Sequence, residues 1–266
     1  MPWSLFDILL ALPAFALVLF RLTGLVLTAP ILASPVIPVR IRGAIAFTLA
    51  AMVFPILRVQ VPGNLTFSGA VVGGVGEVMI GAAIGLALSI LLLAGEVAGS
   101  MIGQQAGLIL GEVVDPLHNE QASVVGQMCT VILTLVFLLA GGHRAAIAAV
   151  LDTFKAIPLL SFSGGESIVV LLVETLTAAF IVGIRIAGPA TIALFLTAIA
   201  LAVVSRAMPA MNILSVGFTV KVLVAVAVLW LTFGLCQDIL VDAVWDGLDL
   251  VRAGFGLEPN AAGLVR

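Results

Sequence analysis

Apolar runs separated by short polar or proline-rich clusters recur along the chain from residue 5 to residue 237. Several approach or exceed the roughly 18 residues that a membrane-spanning helix needs, and none shows the period-two alternation of a barrel wall. Because hydrocarbon supplies no partner for a backbone N–H or C=O, such runs span as helices. They predict apolar helices at about 5–29, 43–54, 68–94, 124–140, 168–204 and 213–237. Pro30, Pro35 and Pro38 end the first, and Pro55 ends the second. At about 1.5 Å per residue that second helix crosses only part of a ~30 Å hydrocarbon core. The run at 168–204 exceeds what a bilayer requires, so it breaks or protrudes, with Gly188-Pro189 as the natural kink. Before the last helix, Pro209 pushes Met208 out of the helical region and Asn212 caps the helix that starts near Ile213. The fold class is all-α, a single domain of polytopic helical hairpins over 1–266.

Within this pattern glycine recurs every fourth residue. Gly69, Gly73, Gly81 and Gly85 form one series in which Glu77 occupies the missing place, and Gly95, Gly99, Gly103, Gly107 and Gly111 form a second. Small residues four apart let helix backbones approach closely where lipid offers no hydrophobic drive. Each step of four turns about 40° around a helix, so one straight partner cannot use the whole ladder. The glycines are therefore helix-packing positions for strongly crossed or multiple neighbours, and the second series extends helical character to Gly111. A polar loop comes next, from Glu112 to about Ser123, with an apolar lead-in from Leu108. At the other end Asp238, Asp242, Asp246 and Asp249 share a stripe opposite Ile239, Val244 and Leu248. Residues 238–253 thus make an amphipathic acidic end that leaves the membrane, either solvated or docked on a basic surface.

Composition narrows the function. The chain is 62% hydrophobic and 9% charged, with a mean hydropathy of +1.32, which places it in the polytopic membrane class. A net charge of −3 and the lack of any Lys/Arg-rich run exclude nucleic acid as a partner. Assuming six spans, the connections carry basic residues in a ratio of five (Arg58, Arg144, Lys155, Arg252, Arg266) to three (Arg40, Arg42, Arg206), a weak orientation bias. Such weakness suits a chain held by protein neighbours. The first apolar run has no basic residue before Arg21, so it reads as a retained helix and not a cleaved signal. Cys129 and Cys236 read as buried, inert thiols. No nucleophile–base pair or P-loop is present, and His118 and His143 match no zinc spacing. The chain is expected to be no enzyme and to hold no metal or cofactor. Arg21, Glu77, Glu174, Arg185 and Lys221 are ionisable residues in or near apolar helices, which mark a polar pathway or interhelical pairs. Glu174 and Arg185 share a face of one helix but stand about 16 Å apart along it, so each needs a partner from elsewhere.

A set of residues in order carries a family resemblance: Arg21 with Pro30, Pro38 and Arg42; Glu77 with Gly81 and Gly85; Ala98-Gly99, Gln105, Gly107 and Asp115-Pro116; Gly141-Gly142-His143, Phe154 and Pro158; then Arg206, Pro209, Met211-Asn212, Gly217 and Lys221. Over roughly residues 5–233 this resembles the FliR family of flagellar biosynthetic proteins. One departure is Thr219, where the family pattern calls for proline. The resemblance implies a core subunit of the flagellar type III export gate in the bacterial inner membrane and basal body. One copy would assemble with several FliP and FliQ subunits around a pore for unfolded flagellar proteins, with FlhB and FlhA as further partners. It also implies that residues 108–122 form a plug loop closing the resting pore, here Leu108, Ile109, Leu110, Gly111, Glu112, Val113, Val114, Asp115 and Pro116. Arg21, Glu77, Gln105, His143, Arg185, Arg206, Pro209, Asn212 and Lys221 are then the buried polar or structural positions. Alternatives are the virulence injectisome counterpart and a proton-coupled small-solute transporter using Glu77, against which the missing two-fold repeat of broken helices counts.

Overall fold

The computed structural model describes residues 5–57, 67–108, 123–161, 165–208, 213–235 and 237–258. Among them every regular element is an α-helix: α1 (Leu5–Thr28), α2 (Val39–Leu57), α3 (Phe67–Ala106), α4 (Val124–Leu139), α5 (Gly142–Ala156), α6 (Gly165–Ala207), α7 (Ile213–Leu235) and α8 (Gln237–Gly254). The protein is an all-α polytopic membrane protein. Among the described residues three helices, Val39–Leu57, Gly69–Ala106 and Ser167–Ala207, are long and apolar enough to cross a membrane. A fourth span arises if α4 and α5, which meet at 65°, are one broken crossing. Leu12–Thr28 and Val216–Leu231 are shorter apolar stretches of α1 and α7.

The chain divides into two compact units, Met1–Leu91 with Gly141–Leu176 and Trp245–Arg266, and Leu92–Ala140 with Thr177–Val244. In the first, α1 buries Ala14, Leu17, Val18, Leu22 and Leu25, a stripe at three- and four-residue spacing, and leaves Leu12, Phe20 and Leu27 exposed. Phe15 of α1 meets Phe47 and Phe54 of α2 edge-on, each pair with centroids 5.6 Å apart. Arg42, in the first turn of α2, donates to the carbonyls of Ser34 (2.6 Å) and Ile37 (3.1 Å) and so fixes the connection from α1. Asp152 of α5 pairs with Arg252 of α8 at 3.0 Å. In the second unit α4 runs beside the end of α3, and Gly183 of α6 brings its backbone against Ala94 and Val97.

Several helices differ from their sequence-based limits for identifiable reasons. α2 begins at Val39 and passes through Pro55 to Leu57. The Pro38 carbonyl already accepts from Ile41 and Arg42, and a proline in a last turn removes only one helical bond. α3 is one helix of 40 residues, not a helix ending near 94, yet it stops at Ala106, before Gly111. α6 is assigned as one helix of 43 residues, Gly165–Ala207, with Pro189 inside it. Pro189 is exposed and removes one helical donor without ending the element. α5 is a helix that apolar runs alone do not announce: it buries Ala145, Ala146, Ala149, Val150, Thr153 and Phe154 on one face. The acidic end is the amphipathic α8, with Val244 and Leu248 buried and Asp246 exposed. Cys129 is buried; Cys236 lies outside the described residues.

Candidate functional site

The glycine ladder distributes its close contacts over two partners. Along α1, methyl groups added at Gly81 and Gly85 would overlap the Arg21 carbonyl and the Thr28 side chain, and one added at Gly24 would overlap the Val78 carbonyl of α3. The contacts advance in the same direction on both helices, so α1 and α3 run parallel at backbone-to-backbone distance. Thr28 Oγ1 donates to the Ala82 carbonyl at 3.1 Å, and Ser89 Oγ donates to the Thr28 carbonyl at 2.7 Å. Further along, Gly95 faces Thr130, Gly99 faces Gly126 and Gly103 faces Ser123, the pattern of an antiparallel pair between α3 and α4. Glu96 lies at that crossing too, its carboxylate against Gly126 and accepting from Thr130 Oγ1 at 3.5 Å.

Three other glycines of the ladder are placed differently. Gly107 has φ +83° and forms the left-handed end of α3, with nothing among the described residues within 4 Å of a Cβ built on it. The Gly107 N–H donates to the Gln104 carbonyl and the Leu108 N–H to the Gly103 carbonyl, which satisfies two carbonyls of the last turn. Gly69 is exposed in the first turn of α3. Gly73 receives a side chain instead of a backbone: Leu160 fills the space above it.

Where Glu77 replaces a glycine, the first unit holds a buried ion pair. Arg21 Nε donates to Glu77 Oε2 at 2.6 Å, and both side chains are 0% exposed. The rest of the guanidinium is also engaged, with Nη1 donating to Thr153 Oγ1 and Nη2 to the Ile157 carbonyl, each at 3.1 Å. The Phe154 ring lies 4.2 Å from its central carbon, close enough for a cation–π contact. Glu77 Oε1 accepts from the Leu160 N–H at 3.1 Å. Leu160 has φ +65°, a backbone conformation that costs a leucine about 1–3 kcal/mol and persists only where its surroundings hold it. Here the Glu77 carboxylate holds its N–H and the Gly73 gap holds its side chain. The arrangement clamps α1, α3, α5 and the turn after α5 around one enclosed charge pair. Its groups are committed to each other, which suits a mechanical role.

The structure does not bring the other predicted polar positions to this site. In this chain by itself His143, Arg185 and Arg206 are exposed, and Gln105 and Lys221 are half-buried. Glu174 is exposed, and neither it nor Arg185 has an ion-pair partner among the described residues. Pro209 and Asn212 lie outside the described residues, as do Ile109, Leu110, Gly111, Glu112, Val113, Val114, Asp115 and Pro116; Leu108, half-buried, is the described start of the plug segment. Sequence reasoning singled out Arg21 and Glu77 separately and missed their pairing, together with Thr153, Ile157 and Leu160. The available signal was the burial pattern of α5, which carries Thr153 to the clamp.

Close helix crossings, an enclosed ion pair and long apolar helices define a polytopic helical membrane protein. The sequence matches the family described as "Bacterial export proteins, family 1" over residues 12–246, and the chain belongs to that family. It is similar to the flagellar biosynthetic protein FliR of Bacillus subtilis (strain 168), at 27% identity over 80% of this chain and 83% of that one. The same holds for FliR of Escherichia coli (strain K12), at 28% identity over 79% of this chain and 80% of the other. The surface presentation of antigens protein SpaR of Shigella flexneri matches at 27% identity, over 80% of this chain and 82% of its own.

Proposed function

We propose that this chain is a core subunit of the export gate of a flagellar type III secretion apparatus, located in the bacterial inner membrane and basal body. In this reading it assembles with FliP and FliQ subunits into the pore through which unfolded flagellar proteins leave the cytoplasm, with FlhB and FlhA as neighbours, and it performs no catalysis. The observation that carries the reading is the family match over residues 12–246. Exposed apolar side chains support it: Ile192, Leu196 and Val203 of α6 and Leu223, Val226 and Trp230 of α7 are each 60% exposed or more, a surface that protein neighbours would cover. A proton-coupled transporter fits less well, because both Glu77 carboxylate oxygens are engaged by Arg21 and Leu160. The test is purification of the tagged chain from membranes in mild detergent. A stable large complex with other small hydrophobic subunits is the expected result, and a monodisperse monomer from cells that build flagella would overturn the reading. Deletion of the gene is expected to abolish flagella; loss of an injectisome with flagella intact would assign the chain to the virulence system.

The plug role of residues 108–122 is part of this proposal. The segment mixes Ile109, Leu110, Val113 and Val114 with Glu112, Asp115 and Asn119, a composition that packs without anchoring irreversibly. Deleting residues 110–119 is expected to leave the complex assembled while making cells or reconstituted vesicles leak small ions. An assembled deletion complex with unchanged ion permeability rejects the plug.

A further inference from the structure

α6 is a single helix of 43 residues, about 64 Å long, against a hydrocarbon core of ~30 Å. Arg185 lies near its middle, about 30 Å from either end, and its side chain is exposed. Ile181 and Ile184 before it and Ile192 after it are exposed as well, at 47%, 53% and 64%. Two placements are open to this helix. If the bilayer encloses Arg185, an unpaired guanidinium sits in hydrocarbon. If Arg185 stands at the bilayer edge, about 30 Å of apolar helix lies in water on one side of it. Lipid resolves neither difficulty, whereas a covering protein surface resolves both.

The backbone beside Arg185 adds a second observation. Pro189 has no N–H, so the Arg185 carbonyl lacks its regular helical donor four residues on. Between them Gly188 leaves a gap: a Cβ built there meets nothing within 4 Å among the described residues. A cation, a carbonyl short of a donor and a notch thus stand within one turn on an otherwise apolar helix. A carboxylate binds a guanidinium through two parallel hydrogen bonds, and a glycine gap lets a second helix approach closely enough to present one.

We infer that Arg185 anchors an apolar helix of another subunit of the same assembly, one that carries an aspartate or glutamate within its apolar stretch and crosses α6 at Gly188. This rests on the export-gate reading, in which the gate holds one copy of this chain. Arg185→Lys keeps the charge and supplies an amine, and dicyclohexylcarbodiimide joins an amine directly to a carboxylate in contact with it. Mass spectrometry of the treated, purified complex is expected to find residue 185 joined to an acidic residue inside an apolar segment of a different subunit. Arg185→Ala is expected to lower recovery of the complex at least tenfold per chain present in the membrane, with Arg185→Lys close to wild type, and Gly188→Leu to lower it similarly. The inference is overturned if Arg185→Ala assembles at wild-type yield. It is equally overturned if the amine joins only a second copy of this chain or a lipid, or finds no carboxylate in an intact complex. Should Arg185→Ala remove the chain from the membrane altogether, the cross-link of Arg185→Lys decides. If the wild-type chain brings down no other hydrophobic subunit, the export-gate reading itself fails, which is a different result from an intact complex without the cross-link.

Discussion

Glu77→Ala is expected to destabilise the protein by about 3–5 kcal/mol, the cost of removing one partner from a buried ion pair. The magnitude reflects the groups left behind. Arg21, with no exposed surface, keeps two hydrogen bonds to neutral oxygens but loses the carboxylate that balances its charge. The Leu160 N–H loses its acceptor while the residue is still in the left-handed conformation. Native proteins hold only about 5–15 kcal/mol in total, so the loss takes a large share of stability. In scanning fluorimetry of the chain in detergent the variant should melt well below wild type, and its amount in membranes should fall. The double variant Arg21→Met with Glu77→Leu removes both charges and should recover most of the loss, since apolar replacements of buried pairs are often neutral or better. A Glu77→Ala protein that melts with wild type would sink the clamp.

Gly81→Val should be of comparable severity, about 3 kcal/mol or more, for a different reason. The new Cβ would overlap the Arg21 carbonyl and lie 2.9 Å from the Leu25 nitrogen, and backbone cannot rotate aside as a side chain does. The helices must separate, and the contacts of Gly24 and Gly85 go with them. Because the obstructed residue is Arg21, separation also stretches its bond to Glu77. Gly81→Val and Glu77→Ala together should therefore cost less than their sum. Gly43→Ala in α2 is the control: nothing lies within 4 Å of its Cβ, so the change should be neutral or favourable by up to ~1 kcal/mol. Equal melting of the Gly81 and Gly43 variants would show that the α1–α3 crossing tolerates separation.

Much of this was legible in the residues. Apolar runs gave the helical class, because the lipid restriction on backbone groups leaves little alternative, and the four-residue glycine spacing marked α3 as a helix for close contact. The spacing could not say that Gly81 meets α1 while Gly99 meets α4, since the identity of a neighbour is a long-range fact. The same limit hid the clamp. Arg21 and Glu77 stand 56 residues apart, and each alone signals only that a partner exists. α5 was missed because its apolar face is built of alanines, small enough to leave no hydrophobic run while still burying well. Prolines misled in the opposite direction: Pro55 and Pro189 both lie inside helices, each removing one donor without ending the element.

On the proposed plug reading, the left-handed end of α3 bears on how the seal opens. Gly107 and Leu108 return their N–H groups to Gln104 and Gly103, so two carbonyls of the last turn are satisfied by the residues that directly follow the helix. Whatever the segment after Leu108 packs against, withdrawing it leaves those two carbonyls bonded and gives the helix no reason to unwind. On the proposed plug reading, displacing the segment beyond Leu108 therefore does not require melting of the forty-residue helix that leads to it.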